Sequence, residues 1–247
     1  MAEEMYHFKY DGIIFDLDGT LINSLEDLTD ACNTMLAHYG LPAKTYEEGK
    51  TLIGCGLRVM TKRALPDEMA ADEALVDKAL ALLKADYKTR YTNKTVPYKG
   101  IKELLRYLYV ENIPYAVCTN KPIEAAREIV NTLFPVNDFV DVIGQQEGQP
   151  RKPDPTQTLA LAKRMGVAPE RCIYMGDSVV DYETAKNAGM LPVLCTWGFT
   201  RNLDDFKAFD DAIWINKPMR VTNALKYGDE MYEIFGENKE DELKIQE

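Results

Sequence analysis

The stretch that most constrains this chain is Gly12-Ile13-Ile14-Phe15, which runs directly into Asp16-Leu17-Asp18-Gly19-Thr20-Leu21. A short apolar run that stops at a small acidic loop is the pattern of a buried parallel strand ending at its carboxyl edge. In open α/β sheets that edge is where ligands bind. Asp16 and Asp18 stand two residues apart, so an extended backbone would turn both side chains to the same side. Two carboxylates converging there repel unless a cation lies between them or one is protonated. Either arrangement supports chemistry: a hard-metal site, a nucleophile, or an acid–base pair. Taken alone, the same residues also fit an acidic turn that caps the next helix.

Further short apolar runs follow at Pro114–Cys118, Val140–Ile143, Cys172–Met175, Pro192–Cys195 and Ala212–Ile215. Amphipathic stretches lie between them, at Ile101–Glu111, Ile123–Leu133, Thr156–Met165 and Tyr182–Ala188. This alternation predicts an α/β fold, a doubly wound parallel sheet with a Rossmann-like core. One segment breaks it. Between Asn23 and Tyr91 no strand pattern occurs, while Leu25, Leu28, Cys32, Met35, Leu36 and Tyr39 repeat at helical spacing. The expectation is an α/β core built from 1–22 and 92–228, an inserted α-helical cap at 23–91, and an acidic C-terminal tail at 229–247 that frays or is disordered. An insertion beside the ligand edge is placed to act as a lid.

The chain is 46% hydrophobic and carries a formal net charge of -11. Nucleic acid and anionic membrane both demand basic surface, so neither is expected as a partner. The start Met1-Ala2-Glu3-Glu4 is acidic, unlike a signal peptide, and no run of eighteen apolar residues occurs. Five widely spaced cysteines form no CxxC pair and read as reduced residues of a cytoplasmic protein.

Three more polar features fall beside predicted strand ends: Thr119-Asn120, the loop Arg151-Lys152-Pro153-Asp154-Pro155, and Gly176-Asp177-Ser178-Val179-Val180-Asp181. Singly, each has a bland explanation: a strand end, a solvated lysine, a helix cap. Jointly, they would place a hydroxyl, an ammonium and two more carboxylates on the edge that Asp16 and Asp18 already occupy.

Asp16-Leu17-Asp18-Gly19-Thr20, Thr119, Lys152 and Gly176-Asp177-Ser178-x-x-Asp181 resemble the four motifs of the haloacid dehalogenase-like hydrolase superfamily. The long insertion is similar to that family's subclass with a helical cap after the first strand. Ile53-Gly54-Cys55-Gly56-Leu57, Thr119-Asn120-Lys121-Pro122 and Trp197-Gly198-Phe199 look most like its phosphoglycolate phosphatases. The resemblance implies that Asp16 is the nucleophile, forming an aspartyl-phosphate, and that Asp18 is the acid and then the base. It implies Mg²⁺ at Asp16, the Asp18 carbonyl and Asp177, with Asp181 nearby. Thr119 and the Asn120 amide would hold phosphate oxygens, and Lys152 would balance their charge. A crowded carboxylate cluster under a closed lid would raise the Asp18 pKa toward neutrality. At Asn23, relatives often carry aspartate.

Outside the motifs, His7 and His38 are isolated and neither is expected to be a catalytic base. Gly54 and Gly56 are expected to shape a cap loop that meets the substrate, with Arg58 beside them as the cation for a carboxylate. The expected enzyme is a Mg²⁺-dependent phosphatase for a small phosphorylated metabolite, a monomer or homodimer. A mutase or pyrophosphatase of the same fold, or a silent binding protein on it, are the alternatives.

Overall fold

The computed structural model describes residues 8–54, 56–135, 139–200, 203–236 and 238–243; His7 and Cys55 lie outside them. The chain enters through β1 (Gly12–Phe15), forms the short β2 (Ile22–Asn23), and passes into five helices. These are α1 (Leu25–His38), α2 (Tyr46–Lys50), α3 (Leu57–Ala64), α4 (Asp67–Ala71) and α5 (Glu73–Lys88). It returns through β3 (Val96–Pro97), antiparallel to β2. Then come α6 (Ile101–Val110), β4 (Tyr115–Pro122), α7 (Ile123–Leu133), β5 (Val142–Gln145), α8 (Thr156–Met165) and β6 (Cys172–Gly176). The last elements are α9 (Val179–Ala188), β7 (Leu191–Cys195), β8 (Ile213–Ile215), α10 (Val221–Tyr227) and α11 (Met231–Ile234).

Six strands form one sheet in the order β5-β4-β1-β6-β7-β8, and every pairing in it is parallel. From β1 the chain moves out to β4 and β5, then crosses back to β6 on the other side of β1. The carboxyl end of β1 therefore lies at the reversal of strand order, where such sheets open a crevice. Alternation fills both faces: Ile13 and Phe15 join α6, α7 and α10 in one apolar cluster, while Ile14 joins α8 and α9 in another. Burial on both faces is why the strands read as unbroken apolar runs.

The inserted helices hold their own apolar cluster, in which Leu28, Met35, Met60, Val76, Leu83 and Tyr87 are buried. Its return is pinned by Asp27, fully buried, whose Oδ2 accepts the N–H of Lys94 at 2.9 Å and both the N–H and hydroxyl of Thr95 at 2.7 Å.

Beyond shifts of a single residue, three elements differ from the sequence pattern. β4 runs on to Pro122 instead of ending at Cys118, and its pairing with β5 shifts register between those residues. β5 begins at Val142 rather than Val140. α9 starts at Val179, three residues before the periodic stretch, because Ser178 and Asp181 make a reciprocal capping box. The described part of the tail, 229–236 and 238–243, also departs from the expected fraying. Tyr232 Oη accepts the Trp214 N–H at 2.8 Å and donates to the Trp214 carbonyl at 2.7 Å, and Glu242 accepts the Asn216 N–H at 2.8 Å. The segment closes the β8 edge, which would otherwise expose unpaired backbone. No helix among the described residues is long and apolar enough to cross a membrane.

Candidate active site

β1 ends at Phe15, and the chain turns at once. The N–H groups of Thr20, Leu21 and Ile22 converge on the Leu17 carbonyl, at 3.3, 3.0 and 3.1 Å. Period-two alternation stops there, so Asp16 and Asp18 part. Asp16 turns to Lys152, whose Nζ lies 2.8 Å from Asp16 Oδ1 and 2.7 Å from Asp181 Oδ1. Asp18 turns to the cap side. It accepts from Lys121 Nζ at 2.9 and 3.0 Å and from Ser24 Oγ at 2.5 Å.

Asp16, Asp177 and Asp181 are buried, and each offers a carboxylate oxygen within 4.8 Å of the others. Were all three carboxylates ionised, the single Lys152 ammonium would leave two negative charges uncompensated. Burial is the main cause that lifts Asp16 to about 6, with Asp181 and Asp18 adding to it and Lys152 opposing. Burial, then Asp181 and Asp16, hold Asp177 well above the ordinary carboxylate range. Burial works against the charge on Lys152, but Asp16 and Asp181 outweigh it and raise its pKa. Asp16 Oδ1 is buried and meets Lys152 as an ion pair without an aligned hydrogen bond, which leaves it open to another ligand. An acidic oxygen-only set of this kind fits a hard divalent cation.

Glycines let the backbone close around these groups. A Cβ on Gly19 or on Gly198 would each stand 2.3 Å from the Asp177 carboxylate. Asp177 is further fixed by the Phe199 N–H, which donates to its Oδ2 at 2.6 Å. Asp181 Oδ2 accepts from Ser178 Oγ at 2.6 Å and from the Ser178 and Asp177 N–H groups at 3.1 and 3.2 Å.

Above this centre lies a cavity of about 290 Å³. The core supplies Asp16, Asp18, Thr119, Lys121, Lys152 and Asp177 to its lining; the cap supplies Leu28, Ile53, Gly54, Gly56, Leu57 and Met60. Its roof is thus largely apolar and its floor charged.

With that geometry in view, comparison with known proteins is decisive. The haloacid dehalogenase-like hydrolase family model matches residues 13–194. The chain belongs to this family. It is 35% identical over 190 residues to the phosphoglycolate phosphatase of Pseudomonas putida, covering 76% of this chain and 70% of that one. To the phosphoglycolate phosphatase of Rhodospirillum rubrum it is 34% identical over 221 residues, covering 83% and 91%. A solved structure of a phosphoglycolate phosphatase candidate from Lactobacillus delbrueckii subsp. bulgaricus superposes with a TM-score of 0.79 at 30% identity, covering 87% of this chain and 98% of that one. This member of the haloacid dehalogenase-like hydrolases is a phosphatase.

Within the hydrolase, the expected residues fall into place unevenly. Asp16, Asp18, Thr119, Asn120, Lys152, Asp177, Gly54 and Gly56 all line the cavity, and Asp181 stands in the carboxylate cluster behind it. The Asp18 carboxylate is not in that cluster, so the two side chains do not converge as a flat strand would make them. The side-chain amide of Asn120 donates to the Lys152 carbonyl at 3.2 Å and accepts the Lys152 N–H at 3.0 Å. It holds the lysine's loop. Arg58 does not reach the cavity: its guanidinium is paired with Glu73 and Asp77 on α5. In the first turn of α3, it faces the neighbouring cap helix. Asn23 Oδ1 accepts the Leu25 N–H at 3.1 Å and so serves the start of α1. Lys121 and Ser24 were not singled out by spacing. The sequence signal for Lys121 was its place between Asn120 and Pro122, which extends β4 toward the site.

Proposed function

We propose that this phosphatase is a Mg²⁺-dependent phosphomonoesterase that works through an aspartyl-phosphate on Asp16, with 2-phosphoglycolate or a similarly small phosphorylated metabolite as substrate. The observation that carries the reading is the placement of Asp16. It is a buried carboxylate at the end of β1, charge-paired with Lys152, and it opens into a small cavity under the cap.

Asp16 attacks phosphorus, and the bond from phosphorus to the ester oxygen breaks. Asp18 gives its proton to that oxygen, which leaves as an alcohol. The Asp18 carboxylate then takes a proton from water as the water attacks phosphorus, releasing phosphate and restoring Asp16. Lys152 and the Thr119 hydroxyl offset and orient negative charge on the transferring group, which is most of what phosphoryl transfer requires. Asp16, the Asp18 main-chain carbonyl and Asp177 would hold Mg²⁺, with Asp181 beside it. When bound, the ion neutralises charge between nucleophile and phosphate.

A cavity of about 290 Å³ suits a small leaving group, and the similarity to two curated phosphoglycolate phosphatases supports the substrate. The test is phosphate release over a panel of 2-phosphoglycolate, hexose phosphates, nucleotides and pyrophosphate, with Mg²⁺ and with EDTA. Highest kcat/KM on 2-phosphoglycolate, lost in EDTA and restored by Mg²⁺, is the expected result. Faster turnover of hexose phosphates or pyrophosphate overturns the substrate, and full activity in EDTA overturns the metal.

A further inference from the structure

We infer that Arg151 recognises the carboxylate of the leaving group, gripping it at the seam between cap and core. The inference rests on the 2-phosphoglycolate reading above and asks which side chain reads its glycolate end.

The other cations near the cavity are engaged. Lys121 holds Asp18, Lys152 holds Asp16 and Asp181, and Arg58 is tied to α5. Arg151 differs. Its side chain is exposed, and among the described residues its guanidinium makes no hydrogen bond or ion pair. Its Nη1 nevertheless lies 3.6 Å from the point where a Cβ on Gly56 would stand, and the Asn120 carbonyl lies 3.8 Å from the same point. Gly56 and Asn120 both line the cavity, one from the cap and one from the core. The guanidinium is not itself part of that lining; it lies beside two residues that are, against the glycine of the cap loop.

The placement is held from below. Asn120 clamps the Lys152 main chain on both its N–H and its carbonyl, and the Arg151 carbonyl accepts the Asp154 N–H at 2.9 Å. One loop thus sets two cations in consecutive positions: Lys152 on the nucleophile and Arg151 at the rim. A substrate whose phosphate meets Asp16 would present its far end toward that rim. Among the described residues, the roof side chains of Leu28, Ile53, Leu57 and Met60 are apolar and offer a carboxylate no charge. Gly56, at φ +84°, also opens α3 with no acidic residue in its first turn. A planar guanidinium fork matches a carboxylate better than a point charge does.

The experiment compares kcat/KM for 2-phosphoglycolate and for ethyl phosphate, which keeps the phosphoester and lacks the carboxylate. It uses the wild type, Arg151→Ala, Arg151→Lys and Arg58→Ala. Wild type should prefer 2-phosphoglycolate. Arg151→Ala should lower kcat/KM on it about 10- to 100-fold, chiefly through KM, and leave ethyl phosphate within about twofold. Arg151→Lys should recover part of the loss, and Arg58→Ala should keep the wild-type ratio. A wild-type preference that survives Arg151→Ala, or an equal loss on both substrates, overturns the role of Arg151 alone. No wild-type preference for the carboxylated ester overturns the substrate reading, and the role of Arg151 with it.

Discussion

Lys121 holds the Asp18 carboxylate by both oxygens, at 2.9 and 3.0 Å, while its ammonium lies 4.8 Å from the centre of the Tyr87 ring on α5. One side chain on β4 thereby joins the first acidic loop of the core to a helix of the cap. Ser24, at the foot of α1, completes the grip on Asp18. Cap position and Asp18 orientation are mechanically linked through this contact.

Lys121→Met keeps the length and apolar stem of the side chain and removes its charge. Lys121 is nearly fully buried and Asp18 largely so, so breaking the pair should cost about 2–3 kcal/mol in denaturant unfolding. Turnover should fall about 10- to 100-fold, as Asp18 loses the group that aims it. Unchanged stability together with unchanged kcat would show that the contact holds nothing.

Asp16→Asn preserves shape and removes the attacking charge. Phosphate release should drop by at least about 10³-fold while the fold is retained by circular dichroism. Mass spectrometry after acid quench should find phosphate on Asp16 of the wild type and none in the variant. Phosphate trapped on a different residue would reject Asp16 as nucleophile.

Stability without metal should fall as the pH rises. Burial raises Asp16 from 3.8 to about 6 and holds Asp177 well above its ordinary value. A carboxyl raised on folding stabilises the native state fully below its unfolded pKa, and that contribution is lost as the pH climbs through the folded pKa. Metal-free protein should therefore melt at progressively lower temperature from about pH 4 to beyond pH 6, and Mg²⁺ should reverse the loss. Asp177→Asn should raise the metal-free melting temperature at pH 8 by about 3–6 °C and abolish the gain from Mg²⁺. A melting temperature that is flat with pH and indifferent to Mg²⁺ would refute this account.

Tyr232→Phe removes the hydroxyl that bonds both main-chain groups of Trp214. Its loss should destabilise the chain by about 1–2 kcal/mol, with kcat unaffected, since the β8 edge lies away from the cavity lining. An effect on turnover without one on stability would contradict the structural role of the tail.

Much of this phosphatase was legible in its residues. Gly12–Phe15 stopping at Asp16, and the apolar runs that recur after it, specify a parallel sheet and its functional edge, because burial on both faces writes itself as uninterrupted apolar sequence. The helical insertion was visible as a change of period. The capping box of Ser178 and Asp181 was equally local, though the periodic stretch from Tyr182 masked it. What no local pattern contains is the choice of partner. Asp16 and Asp18 look equivalent in a strand and separate because the turn at Leu17 sends one to Lys152 and the other to Lys121. Arg58 and Arg151 are both arginines beside motif loops; α5 brings Glu73 and Asp77 to the first, while the second meets Gly56 without a carboxylate. The acidic tail reads as solvated until β8 supplies an edge to cover. Periodicity and caps are properties of neighbours in the chain, so sequence alone determined the fold class and the edge where chemistry occurs. Charge pairing depends on distances between segments far apart in the chain, so only the tertiary structure decided which acid faces the nucleophile's lysine, which faces the cap, and which cation is left at the mouth.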